Sequence, residues 1–172
     1  MKNLKNVELL LLDVDGVLTD GSIIYDDNSV EIKSFNVKDG LGIRLLIEHG
    51  INVGIVTGRR SKALSRRCED LGIELLFDGI RDKGGLLGSI TEKTGVDAKN
   101  MAFVGDDLPD IPLMKQVGFS IAVSDAHETL VNIADMVTIA KGGDGAAREI
   151  CEAILRAKGL WVSIIKQDYN AL

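Results

Sequence analysis

The chain is short of several things, and each shortage narrows what it can be. It has two cysteines, Cys68 and Cys151, in 172 residues. They show no metal-binding spacing and cannot build a disulfide framework, so both are expected to be reduced, in a cytoplasmic protein. Its two prolines, Pro109 and Pro112, sit together, and no Pro-rich linker divides the sequence. Basic charge is in deficit, with 20 Lys+Arg against 26 Asp+Glu and a net charge of −6. Sequence-independent nucleic-acid binding needs a basic face, so a nucleic-acid partner is not expected. No apolar run approaches the ~20 residues of a bilayer span, so no membrane role is expected either. The run from Leu9 to Leu12 leads straight into acids and does not read as a signal peptide.

What remains is ordinary for a folded protein. Hydrophobic residues make up 45% and charged residues 27%. Those proportions predict a single domain over residues 1–172, large enough to bury a core.

Short apolar runs alternate with amphipathic stretches. Val7 to Val14, Ile51 to Val56, Ile73 to Phe77, Met101 to Val104 and Phe119 to Val123 read as strands, with Met136 to Ile139 a weaker one. Their near-continuous apolar character suits a mostly parallel sheet covered on both faces. Helical patterns fall at Leu41 to His49, Ser61 to Leu71, Lys83 to Thr94, Leu108 to Val117, Ala146 to Ala157 and Trp161 to Tyr169. The rhythm predicts a doubly wound, Rossmann-like α/β fold. One segment breaks it: residues 22–35 read as a β-hairpin around Asp26-Asp27-Asn28, where a crossover helix was due.

Open α/β sheets bind ligands at the carboxyl ends of their strands, and that is where the polar residues collect. The first strand ends in Asp13-Val14-Asp15-Gly16, the second in Thr57-Gly58-Arg59. The third is followed by Lys83, and the fourth by Gly105-Asp106-Asp107-Leu108-Pro109-Asp110. Taken singly, each has a plain alternative. The DxD could be a solvated turn, Thr57 a helix cap, Lys83 a surface lysine, and Asp107 and Asp110 helix N-terminal acids. Taken together, carboxylates, a hydroxyl, an ammonium and an acidic cluster suit a hard cation beside a phosphoryl group.

In this order the motifs resemble those of the haloacid dehalogenase superfamily. DVDGVLTDG (Asp13 to Gly21), FNVKDGLGIRLL (Phe35 to Leu46), VTGRRSK (Val56 to Lys62), FVGDDLPD (Phe103 to Asp110), VSDAHETL (Val123 to Leu130) and GGDGAAREIC (Gly142 to Cys151) resemble its capless sugar-acid phosphatases. The resemblance implies hydrolysis of 3-deoxy-D-manno-octulosonate 8-phosphate, in lipopolysaccharide biosynthesis, through an aspartyl-phosphate. Asp13 would be the nucleophile and Asp15 the acid and base. Thr57 and Lys83 would hold phosphoryl oxygens. Mg²⁺ would be held by Asp13, Asp106 and the Asp15 main-chain carbonyl. Asp110 would orient Lys83, and Asp107 a water of the ion's shell. Thr57, Gly58, Arg59, Arg67 and Lys83 would bind substrate, with Lys62 a further candidate.

The resemblance also implies a homotetramer. No cap domain fits between the motifs, so a neighbouring subunit would cover the site through the hairpins. From about residue 141 a flexible Gly-rich tail is expected. The alternatives are a phosphatase for a nine-carbon keto-deoxy sugar acid, which Arg59 disfavours, a receiver-like phospho-accepting domain, and a non-catalytic assembly domain. A receiver carries its phosphorylated Asp on a later strand, so the motif order favours the phosphatase.

Overall fold

The computed structural model describes residues 3–170, so the outer two residues at each end of the expected 1–172 domain lie outside it. Six parallel strands form one sheet: β1 (Leu9–Leu12), β4 (Asn52–Val56), β5 (Leu75–Phe77), β6 (Met101–Gly105), β7 (Phe119–Ala122) and β8 (Met136–Val137). Their order is β5-β4-β1-β6-β7-β8. The chain therefore runs outward from β1 on one side, then crosses back to β6 on the other.

β1 is four leucines, all fully buried. Side chains alternate across a strand, and the core divides accordingly. Leu10 and Leu12 pack with residues of α1 (Val37–Glu48), α2 (Lys62–Leu71) and α6 (Ala146–Ala157). Leu9 and Leu11 pack with residues of α3 (Leu87–Thr94), α4 (Ile111–Met114) and α5 (Glu128–Ile133). The last helix, α7 (Trp161–Tyr169), adds Ile164 to the first layer. Both cysteines are buried and unpaired.

Several boundaries differ from those the sequence predicts. α1 starts earlier, at Val37, because the Asn36 side chain accepts from Lys38 N. Lys83 stands before a 3-10 turn, Gly84–Leu86, and the helix proper begins only at Leu87. Leu108 to Val117 is a 3-10 turn followed by the four residues of α4. Pro109 and Pro112 each lack an N–H, which confines helix starts to their neighbourhood. α5 is an additional helix, capped where His127 Nδ1 accepts from Thr129 N.

The hairpin is present and shorter than expected: β2 (Ile24–Tyr25) pairs antiparallel with β3 (Glu31–Ile32). Its turn is held by Asp26, whose carboxylate accepts from the Asn28 and Val30 backbone N–H groups at 2.9 and 2.7 Å.

Candidate active site

The carboxyl ends of β1, β4 and β6 open onto one cleft of about 480 Å³. It is lined by Asp13, Asp15, Thr57, Gly58, Arg59, Lys83, Asp106, Asp107 and Asp110, along with Arg81 and Pro109. Strand register explains the convergence. Leu12 pairs with both Ile55 and Val104, so the residues just beyond these strands leave the sheet side by side.

Lys83 sits at the centre of the charged groups. Its Nζ lies 2.9 Å from Asp13 Oδ2 and donates to Asp110 Oδ1 at 2.5 Å. Asp110 is fully buried. Its other oxygen accepts from the backbone N–H groups of Asp106 and Asp107 at 2.9 and 3.3 Å. Both Asp110 oxygens are thus engaged, which fixes Lys83 against the end of β6. Burial works against the Lys83 charge, but Asp13 and Asp110 outweigh it and hold the ammonium above its usual range.

The carboxylates are crowded. Ligand oxygens of Asp13, Asp106 and Asp110 lie within 4.8 Å of one another. Burial, with Asp110 close by, pushes Asp13 up to about 6 against the pull of Lys83. Burial, with Asp13 and Asp110 nearby, pushes Asp106 up to about 8. This is a hard-oxygen donor set with more negative charge than its one lysine balances. Its chemistry fits a divalent cation such as Mg²⁺, which the oxygens of this cluster could hold.

Backbone shape makes room for the cluster. Gly16 has φ +91°, and a Cβ there would lie 2.1 Å from Asp106 Oδ2. The Gly142–Gly145 segment rests on the same loop. Gly143 N donates to Val17 O at 2.9 Å, and a Cβ on Gly142 would lie 1.7 Å from Gly16 O.

Thr57 is buried at the end of β4, its N–H on Phe77 O at 2.9 Å. Arg59 lines the cleft, but its guanidinium already has neighbours. Nη2 donates to Tyr25 Oη at 3.1 Å, and the group lies 3.6 Å from Glu31 and 3.7 Å from Asp15. Arg67 is not among the cleft residues. It sits on α2, facing α1, where Nη2 donates to Asn36 O at 3.2 Å and the guanidinium lies over the Phe35 ring. Lys62, at the start of α2, is exposed and also outside the cleft lining. Two residues here had no signal in the motifs. Arg81 lines the cleft, and Lys33, from the hairpin, is paired with Asp15 Oδ1. The only sequence hint of Lys33 was period two: Glu31 and Lys33 share a face of one strand.

A model of the haloacid dehalogenase-like hydrolase family matches residues 77–150. The chain is 47% identical to the 3-deoxy-D-manno-octulosonate 8-phosphate phosphatase of Escherichia coli over 92% of its own length and 85% of that protein's. The crystal structure of the Yersinia pestis phosphatase of that name superposes with a TM-score of 0.90 at 46% identity, covering 91% of this chain and 85% of that one. The Moraxella catarrhalis phosphatase, in complex with a magnesium ion, a phosphate ion and a KDO molecule, superposes with a TM-score of 0.93 at 40% identity, covering 96% and 95%. A cobalt-bound Haemophilus influenzae phosphatase is 44% identical with a TM-score of 0.88, covering 91% of each chain. The chain belongs to the haloacid dehalogenase-like hydrolases, in their branch of 3-deoxy-D-manno-octulosonate 8-phosphate phosphatases.

Proposed function

We propose that this phosphatase hydrolyses 3-deoxy-D-manno-octulosonate 8-phosphate, with Mg²⁺, through an aspartyl-phosphate on Asp13. The observation that carries the reading is the Asp13–Lys83–Asp110 chain beside Asp106, gathered at the carboxyl end of the parallel sheet. Bound Mg²⁺ supplies positive charge to the phosphoryl oxygens. Asp13, Asp106 and the Asp15 main-chain carbonyl would hold it, and Asp107 would orient a water beside it.

The chain's own residues do the rest. Asp13 attacks in line, and a carboxylate is a weak nucleophile that depends on such positioning. Thr57 and Lys83 hold the phosphoryl oxygens as charge shifts in the transition state. Asp110 keeps Lys83 in place. Asp15 protonates the departing sugar oxygen, then takes a proton from the water that cleaves the intermediate.

Arg59, with Gly58 and Thr57 beside it, is the substrate-binding candidate the cleft supports; Arg67 stands outside the cleft lining. The exposed Ile24, Tyr25, Val30 and Ile32 of the hairpin support association between copies, with a neighbour covering the open site in a homotetramer. No helix among the described residues is long and apolar enough to cross a membrane. We place the reaction in the cytoplasm, as a step toward lipopolysaccharide.

The test is phosphate release by the purified protein from a panel of sugar phosphates, with and without chelator. The eight-carbon sugar-acid 8-phosphate is expected to be hydrolysed with the highest kcat/KM, and chelator is expected to stop the reaction. Preference for a nine-carbon sugar-acid 9-phosphate, or chelator-insensitive turnover, would overturn the corresponding part of the proposal.

A further inference from the structure

The hairpin has two chemically different faces. Its register pairs Ile24 with Ile32 and Tyr25 with Glu31. Ile24 and Ile32 are exposed on one side. Tyr25, Glu31 and, two residues on, Lys33 instead contact residues that line the cleft: Tyr25 and Glu31 meet Arg59, and Lys33 meets Asp15. Glu31 lies 2.8 Å from Lys33 Nζ, and Lys33 Nζ pairs with Asp15 Oδ1.

The Lys33 side chain is only 2% exposed. Covering an ammonium is costly unless it is paired and hydrogen-bonded. Here both partners are carboxylates, and one of them lines the catalytic cleft. Lys33 takes one Asp15 oxygen. The other, Oδ2, has the Arg59 guanidinium at 3.7 Å, beyond hydrogen-bond length. Asp15 is therefore anchored at one oxygen while the second stays available to the cleft.

We propose that Lys33 is a positioning residue for Asp15. It fixes Oδ1 so that Oδ2 meets the leaving oxygen, and Glu31 holds Lys33 in place. This rests on the reading of Asp15 as acid and base. As the bond from Asp13 oxygen to phosphorus forms, the bond from phosphorus to the sugar oxygen breaks. The electron pair stays on that oxygen, and the proton on Asp15 Oδ2 passes to it, giving the sugar hydroxyl. An Asp15 free to rotate would serve this step less often. A sugar alkoxide needs that proton to leave, whereas p-nitrophenolate does not.

The test compares kcat/KM on the sugar phosphate that the wild-type protein hydrolyses best with kcat/KM on p-nitrophenyl phosphate. General acid–base catalysis contributes about 10²–10⁴-fold, so Asp15→Asn is expected to lower the ratio of sugar phosphate to aryl phosphate within that range. Lys33→Met is expected to lower the same ratio by about tenfold or more, and Lys33→Arg to restore part of it. Glu31→Gln is expected to act in the same direction, less strongly. A merely structural tether would lower both activities equally. Equal losses in Lys33→Met, with Asp15→Asn selective, would overturn the Lys33 assignment and leave the acid–base reading standing. An unselective Asp15→Asn would overturn both. Should Lys33→Met fail to fold, the ratios for Lys33→Arg and Glu31→Gln decide: unchanged ratios in both overturn the proposal.

Discussion

Asp110 shows how much one buried side chain carries. It joins the Lys83 ammonium to two backbone N–H groups of the loop after β6. Asp110→Ala leaves Lys83 with Asp13 as its one carboxylate partner among the described residues and strands two donors. Breaking a buried pair from one side costs about 3–5 kcal/mol, and that loss is expected here in urea unfolding. Asp110→Asn keeps an acceptor for the backbone and removes only the charge. It is expected to lose less stability while still lowering phosphatase activity, because Lys83 is no longer held. Equal stability of Asp110→Ala and wild type would refute the packing argument. At this scale the motif acids, Thr57 and Lys83 were legible, because each lies in a segment that follows an apolar strand. Lys33 was not, because a lysine just past a two-residue hairpin strand looks like an ordinary edge charge until Asp15 is seen beside it. Arg67 shows the opposite limit. It lies on α2, close in sequence to the cleft residues, but its helix turns it toward Asn36 and Phe35.

Among elements, the contact between the Gly142–Gly145 segment and the loop after β1 couples the end of the fold to its beginning. Gly142→Ala would place a methyl carbon 1.7 Å from Gly16 O, against backbone that cannot rotate away. Overpacking of this kind costs about 1–3 kcal/mol. Thermal unfolding is expected to fall by roughly 2–4 °C for each kcal/mol lost in a chain of this size. Gly88 in α3 makes the control: a Cβ there meets nothing within 4 Å. Gly88→Ala is expected to raise stability by about 0.5–1 kcal/mol, since glycine is the poorer helix former. The strands were the most legible elements, since apolar runs such as the leucines of β1 have no other place to go. The helices around Pro109 and Pro112 were the least legible. There the apolar spacing runs on as one pattern, while the missing N–H groups break the backbone into a 3-10 turn and a short helix.

Across the whole molecule, the site trades stability for charge density. Asp13 is raised to about 6 and Asp106 to about 8, from an ordinary value of 3.8. Between those values the metal-free native state binds more protons than the unfolded chain. Its stability is therefore expected to fall as pH rises through this window. Metal binding needs the ionised carboxylates, so added Mg²⁺ is expected to stabilise the protein more at the upper end of the window than at the lower. Urea midpoints measured with EDTA and with Mg²⁺ across this range check both slopes. A metal-free midpoint that rises with pH through the window would contradict the crowding of these two acids. The parallel sheet and its helices were readable from the alternation of apolar runs and amphipathic stretches, and the spacing of the motifs left no room for a cap. The ion cluster between hairpin and cleft was not, because it joins residues far apart in sequence.

The central claim is that Asp13 is the nucleophile of a Mg²⁺-dependent phosphatase. Phosphate release from 3-deoxy-D-manno-octulosonate 8-phosphate, measured side by side for wild type and a folded Asp13→Asn, tests it most directly. Wild type is expected to release phosphate with Mg²⁺ and to stop with chelator, and Asp13→Asn to release none under either condition. Turnover by Asp13→Asn at the wild-type rate would contradict the account.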